Sequence, residues 1–345
     1  MRKNLLFPIF YGILMTSFTV YVVLDTFVIT RVYGAVEPTA SAYTASVDES
    51  ETTGSVTIET ETTGTAAAES SSSVKRSKKK SSSSGTAERA SAEAAETTAE
   101  AAVSTENTYQ DENISVTLTE YTVNDTAVYV ADVTLSSAGY LKTALAQGLY
   151  GKNVTESTSD MAEDNNAILA INGDYYGAQE KGYVLRNGVL YRSTAAKNQE
   201  DLVIYADGSF QIINESEVAA EELLADGAVQ ILSFGPALVT DGEIAVSTTE
   251  EVGQAKSSNP RTAIGVIDDL HYIFVVSDGR TDESEGLSLY ELASFMESLG
   301  AETAYNLDGG GSSTMVFNGT LINNPTSTGN SIKERSVSDI VYIGY

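Results

Sequence analysis

Apolar and polar positions follow three regimes along the chain. Residues 5–30 are apolar almost throughout, with Asp25 near the far end. Residues 36–108 carry few large apolar side chains and are dominated by Ser, Thr, Ala and Glu. From residue 109 to 345, short apolar runs recur between turn signals. The spacing predicts strands over 113–119, 127–135, 167–171, 202–205, 229–232, 262–267, 272–276 and 337–343. Asn187-Gly188, Asp207-Gly208, Asp241-Gly242 and Asn318-Gly319 punctuate this region. Such dipeptides favour tight hairpin turns, because both turn positions adopt positive φ. Much of the sheet is therefore expected to be antiparallel. Apolar residues at 289, 292, 293, 296 and 299 make one helical stripe, Ser288 and Glu291 form a capping-box pair, and Gly300 stops the helix. Two shorter helices are predicted, over 218–224 and near 157–164. The expected fold class is α+β, a twisted, largely antiparallel sheet core with a few packing helices, preceded by one transmembrane helix and a disordered linker.

The first regime supplies the roughly 20 apolar residues that a bilayer-spanning helix needs. Arg2 and Lys3 precede it, which keeps the N-terminus cytoplasmic. The run exceeds the apolar core of a cleaved signal peptide, so an uncleaved anchor over residues 1–35 is the favoured reading. The expected location is the cell membrane, single-pass, with the C-terminal domain extracellular. The second regime, 36–108, buries too little surface to offset its ordering entropy and reads as a linker. Its basic run, Lys75-Arg76-Ser77-Lys78-Lys79-Lys80, reads as a solvated charge cluster, with attachment to anionic wall polymer or lipid headgroups as the alternative. The third regime, 109–345, is long enough for one domain with a sizeable core.

Composition narrows the chemistry. Of 345 residues, 48 are acidic and 20 basic, a formal charge of −28. That balance excludes broad contact with a phosphate backbone, so nucleic acid is not an expected partner. Zero cysteine removes disulfides, thiol nucleophiles and zinc–thiolate sites. The single histidine, His271, opens an apolar strand with no nucleophile at a telling spacing, and reads as structural. The remaining working groups are carboxylates, arginines, hydroxyls and backbone amides.

Four polar, glycine-containing segments follow or open predicted strands. In Asn172-Gly173-Asp174-Tyr175-Tyr176-Gly177 an aspartate lies between glycines at a strand end. In Asn259-Pro260-Arg261-Thr262 an arginine opens a strand, a placement suited either to bidentate recognition of phosphate or carboxylate or to a structural ion pair. Ser277-Asp278-Gly279-Arg280 ends an apolar strand on a carboxylate. The sharpest segment is Asn306-Leu307-Asp308-Gly309-Gly310-Gly311-Ser312-Ser313-Thr314. Three consecutive glycines cost much backbone entropy, and their amides with flanking hydroxyls can cradle an anion. The loop lacks the Gly-Lys-Ser/Thr ending of a nucleotide P-loop and does not fit a Gly-x-Ser-x-Gly nucleophile elbow.

The ordered set NGDYYG, FGPALV, NPRTAIG, VVSDGR, GLSLYELASFMESLG and NLDGGGSSTMVFNG resembles the phosphodiester glycosidase family over roughly residues 110–345. The vertebrate member type, the uncovering enzyme, is disulfide-bonded. A chain without cysteine therefore looks like the bacterial, exopolysaccharide-related type. The resemblance implies hydrolysis of a sugar-1-phosphodiester, similar to a GlcNAc-1-phosphodiester, at the anomeric carbon. It implies a glycan or sugar-phosphate partner at the cell surface. On that reading Asp174, Asp278 and Asp308 are the candidate catalytic carboxylates, and Arg261 is the catalytic cation. Asn172, Arg280, Gly309, Gly310, Gly311, Ser312 and Ser313 are candidate substrate-binding groups. Phosphate is already a good leaving group, so electrostatic stabilisation by Arg261 and the glycine loop leads the expected mechanism, with one aspartate as nucleophile or base. No cofactor is required by this reading, although a divalent cation, calcium or magnesium, held by two aspartates would ease binding of an anionic substrate. Two other classes are open: a metal-dependent phosphodiesterase that attacks phosphorus, and a non-catalytic surface glycan or teichoic-acid binder.

Overall fold

The computed structural model describes residues 3–33, 102–250, 258–327 and 331–345. Most of the expected linker, with the basic run at 75–80, lies outside the described residues. The strands Val103–Ser104 and Thr108–Gln110 already belong to a sheet.

Three antiparallel sheets meet around a common core. The largest has nine strands, in the spatial order Glu243–Ile244, Ala237–Thr240, Thr303–Asn306, Arg261–Asp268, His271–Ser277, Thr126–Leu135, Ile114–Val123, Thr108–Gln110 and Val103–Ser104. A five-stranded sheet centres on Leu169–Asn172, flanked by Asp339–Ile343 and Met315–Phe317. A second five-stranded sheet centres on Ala228–Leu232, between Val184–Arg186 and Glu200–Tyr205. Phe274, Ile264 and Tyr305 of the nine-stranded sheet pack with Ile171, Phe317 and Val341 of one small sheet, and with Leu202 and Leu232 of the other.

The central strands explain their own sequence pattern. In His271–Ser277, Tyr272, Phe274 and Val276 face the three-sheet core, whereas Ile273 and Val275 face the helix Leu289–Ser298. A strand buried on both faces has no polar side to show and reads as a continuous apolar run. The helix forms as its pattern predicts: Ser288 and Glu291 make the reciprocal capping box, and Leu289, Leu292, Ala293 and Met296 are buried against the sheet. The shorter helices form at Thr158–Asp164, capped by Ser157, and at Ala220–Ala225. Three of the turn dipeptides, Asn187-Gly188, Asp241-Gly242 and Asn318-Gly319, hold both residues at positive φ in hairpins. The α+β, antiparallel expectation for this region is met.

The expected transmembrane anchor is corrected. A helix does form over Lys3–Phe27, but among the described residues no helix is long and apolar enough to cross a membrane. The helix carries Gly12, Thr16, Ser17, Thr19 and Asp25 among its apolar residues. The single-pass location and the membrane as a partner fall with the anchor. The residues just after the helix contact the domain directly: Arg31–Val32 pairs antiparallel with Gly151–Lys152, and the Tyr33 ring lies 5.7 Å from that of Tyr150.

Candidate active site

Three neighbouring strands of the nine-stranded sheet deliver the charged groups to one end. Arg261 begins its strand directly opposite Ser277, the last residue of the next. Arg280 comes three residues later. On the other side, Ala263 pairs with Asn306, so the Asp308 loop leaves the sheet at the same end. Antiparallel order is what brings a strand start and two strand ends together. The segments open a cavity of about 740 Å³, one wall of which presents Arg261, Arg280, Arg335, Asp308, Gly309 and Gly310.

Asp308 is the carboxylate of this cavity, 8% exposed. Its Oδ2 accepts the Ser312 hydroxyl at 2.6 Å and the Arg335 Nη2 at 2.9 Å. Burial raises its pKa above the ordinary carboxylate value, and the Arg335 charge and the Ser312 hydrogen bond oppose that rise. Arg261 is buried, with Nε donating to the Leu287 carbonyl at 2.8 Å. Arg280 donates from Nε and Nη2 to the Asn259 side-chain oxygen, at 3.2 and 2.9 Å, and from Nη1 to the Ser327 carbonyl at 2.8 Å. Burial, then the like charge of Arg335, lowers the Arg280 pKa, yet a guanidinium remains charged at any working pH.

The glycine run is a packing requirement as much as an anion loop. A Cβ on Gly309 would stand 2.9 Å from the Pro260 carbonyl oxygen, and one on Gly310, whose φ is +64°, 2.8 Å from Arg280 Nη2. Gly311 is pressed against Ser327 in the same way. The amides of Gly310, Ser312 and Ser313 donate to the carbonyls of Pro260, Gly309 and Gly310. The glycine-loop amides that the sequence suggested as donors are thus partly taken up within the loop, and the charged groups lining the cavity beside it are the guanidinium groups of Arg261, Arg280 and Arg335. Ser312 holds Asp308, and Ser313 is buried behind the loop.

Asp174 and Asp278 do not line the cavity. Asp174 is 1% exposed and accepts Arg186 Nη2 at 2.7 Å, the Ser233 amide at 2.9 Å and the Tyr176 amide at 2.9 Å. Arg186 also reaches Asp339 at 2.7 Å. Burial works against the Arg186 charge, but the Asp174 and Asp339 carboxylates outweigh it and raise its pKa. The cluster is an internal brace. Asp278 accepts the Asn324 amide at 2.8 Å and both Asn323 and Asn324 side chains, tying that loop to the sheet end. Asn172 joins the two small-loop systems: its Nδ2 donates to the Asp308 carbonyl at 2.6 Å, and its Oδ1 accepts the Thr262 hydroxyl at 2.8 Å. His271 pairs with Asp132 on the surface, consistent with its structural reading.

Among the described residues no three His, Asp or Glu side chains gather to hold a metal ion. Asp174, Asp278 and Asp308 each accept hydrogen bonds from separate protein donors. Sequence reasoning missed Arg335 and Asn259 on the charged wall. Arg335 lies in a segment without glycine punctuation or an aspartate motif. It also missed Tyr175, Gln179, Lys181, Gln199, Ser233 and Phe234, which line the same cavity. Tyr175 and Phe234 sit inside two of the quoted motifs.

Comparison with known proteins bears on this geometry. The family model for phosphodiester glycosidase matches residues 165–344. The SPbeta prophage-derived uncharacterized protein YomE of Bacillus subtilis is 31% identical over 201 residues, which is 57% of this chain and 31% of that protein. N-acetylglucosamine-1-phosphodiester alpha-N-acetylglucosaminidase of Mus musculus is 30% identical over 187 residues, 49% of this chain and 35% of the relative. The chain thus spans about a third of the length of the curated relatives it matches. Among solved structures, the zebrafish N-acetylglucosamine-1-phosphodiester alpha-N-acetylglucosaminidase catalytic domain, auto-inhibited by its pro-peptide, superposes with a TM-score of 0.54 at 22% identity. It covers 67% of this chain and 83% of that one. At that identity the likeness shows the fold.

Proposed function

The chain belongs to the phosphodiester glycosidase family, and on that premise we propose that it hydrolyses a sugar-1-phosphodiester at the anomeric carbon. The observation that carries this reading is the cavity wall of Arg261, Arg280 and Arg335 around one buried carboxylate, Asp308. Three guanidinium groups suit the charge of a phosphodiester, and a single carboxylate suits chemistry at an adjacent carbon. The substrate class is taken from the relatives in Mus musculus and other mammals, whose names specify an N-acetylglucosamine-1-phosphodiester.

In the proposed reaction water attacks the anomeric carbon. The bond between that carbon and the bridging phosphate oxygen breaks, and its electron pair leaves with the phosphate. Asp308 takes the proton of the attacking water and stabilises positive charge developing on the sugar ring. Arg261 and Arg280 hold the phosphate as it gains charge, which is where fixed donors contribute most. The products are a free sugar and a phosphomonoester.

The reading is tested with UDP-N-acetylglucosamine in oxygen-18 water. Label is expected in the released sugar; label in phosphate, with none in the sugar, would mean attack at phosphorus and refute it. Asp308→Asn and Arg261→Ala are expected to abolish most turnover, and unchanged activity in both would remove the site assignment.

A further inference from the structure

We propose that the cavity is two-walled, with the guanidinium wall taking the phosphodiester and the wall of Tyr175, Phe234, Gln179, Gln199, Lys181 and Ser233 taking the glycosyl ring, so that the second wall sets sugar specificity. The inference rests on the reading of the cavity as a sugar-phosphate site and assigns its orientation.

Arg261, Arg280 and the Asp308 loop come from the end of the nine-stranded sheet, and Arg335 precedes the strand Asp339–Ile343 of the first small sheet. On the other wall, Tyr175, Gln179 and Lys181 come from the segment between Leu169–Asn172 and Val184–Arg186, and the rest from the small sheet that contains Glu200–Tyr205 and Ala228–Leu232, which pair through Leu202 and Leu232. Gln199 precedes the first of these strands, and Ser233 and Phe234 come directly after the second, so all three lie at one end of the sheet. The Gln199 side chain donates to the Phe234 carbonyl at 3.3 Å.

The chemistry of the walls differs as their origins do. The first carries three arginines and one aspartate. The second carries one lysine, two amides, a hydroxyl and two aromatic rings. A pyranose shows an apolar C–H face and an equatorial rim of hydroxyls. The ring face suits Tyr175 and Phe234, and the rim suits the amide and hydroxyl groups, the usual division of labour in a small-molecule pocket. Tyr175 is 40% exposed, whereas its neighbour Tyr176 is 1% exposed. Tyr175 is thus a large aromatic left open at the cavity, and a sugar ring is the partner assigned to it here. Lys181 and Gln179 place donors for an N-acyl oxygen on the same wall.

The wall is also held rigid. Asp174 accepts the Ser233 amide with one oxygen and the Tyr176 amide with the other, and Phe234 donates its amide to the Tyr305 hydroxyl at 2.9 Å. On this proposal the buried Asp174–Arg186–Asp339 cluster positions the sugar wall.

Binding of N-acetylglucosamine and of inorganic phosphate is measured separately by titration calorimetry on the wild type, Tyr175→Ala, Tyr175→Phe and Arg280→Ala. Tyr175→Ala is expected to weaken the sugar by about tenfold or more while phosphate changes by less than about twofold. Arg280→Ala is expected to do the reverse, and Tyr175→Phe, which keeps the ring, to retain both. Equal weakening of both ligands by both variants overturns the assignment, as does a wild type that binds phosphate but no sugar. Split binding without turnover of UDP-N-acetylglucosamine keeps the two walls and removes the hydrolase. Turnover with unsplit binding does the opposite.

Discussion

The Arg335 guanidinium holds the Asp308 carboxylate, with Nη2 2.9 Å from Oδ2, and Ser312 closes the triangle. The Ser312 hydroxyl donates to the same oxygen at 2.6 Å and accepts Arg335 Nε at 2.8 Å. A carboxylate that burial would protonate is thereby held toward its charged form.

Loss of that cation should move the pH profile. If Asp308 works ionised, activity rises as pH increases through its pKa. Arg335→Gln removes the charge that lowers this pKa, so the acid limb of kcat/KM is expected to shift to higher pH. Activity at the plateau, where Asp308 is ionised in both proteins, should fall less than activity at acid pH. A limb that stays in place in the pH–rate profile contradicts the role given to Arg335.

Arg186 should be a stability residue of unusual weight. Arg186→Met leaves the Asp174 and Asp339 carboxylates buried without their cation. The expected loss is about 3–5 kcal/mol, the range for breaking a buried pair from one side. Urea unfolding of the variant beside the wild type measures it. A midpoint within error of the wild type would show that the brace contributes nothing.

A second buried acid predicts the response to alkali. Asp201 is fully buried beside Glu215. Burial, then the like charge of Glu215, raises its pKa well above the ordinary carboxylate value of 3.8. Above that ordinary value the unfolded chain releases a proton that the folded chain keeps. Stability therefore falls as pH rises from the ordinary carboxylate range toward the raised folded value. Asp201→Asn is expected to flatten this decline and to raise the melting temperature most at alkaline pH. Parallel Tm-versus-pH curves for variant and wild type would contradict it.

Gly310 should tolerate no side chain. Alanine there meets a φ of +64° and places a Cβ 2.8 Å from Arg280 Nη2. The backbone strain costs about 1–2 kcal/mol, and the displaced guanidinium should raise KM for an anionic substrate by about tenfold. Gly319→Ala, where the built Cβ meets nothing and φ is +74°, serves as the control: it carries the strain without touching the site. Equal KM values for the two variants would show that displacement of Arg280 has no effect on binding.

Local pattern alone settled much of the fold. The capping box at Ser288 and Glu291, the helical stripe behind it, the Asn-Gly and Asp-Gly hairpins and the strands around 262–276 are short-range features, and each is set by residues within a few positions of one another. The motif order was likewise enough to suggest the family. The N-terminal apolar run shows the opposite case: composition suggested a membrane span, and among the described residues no helix qualifies as one.

The sequence could not decide which polar residues share a cavity. Asp174, Asp278 and Asp308 look equivalent along the chain, each in a loop beside a strand end. Only the packing of three sheets sends Asp308 to the cavity, Asp174 to the Arg186 brace and Asp278 to the Asn323–Asn324 loop. Arg335 reaches Asp308 from 27 positions away, with no local signal to mark it. The physical reason is that hydrophobic periodicity encodes which side chains are buried, while the partner of a buried charge is set by strand order and register across sheets, which no short window of sequence contains.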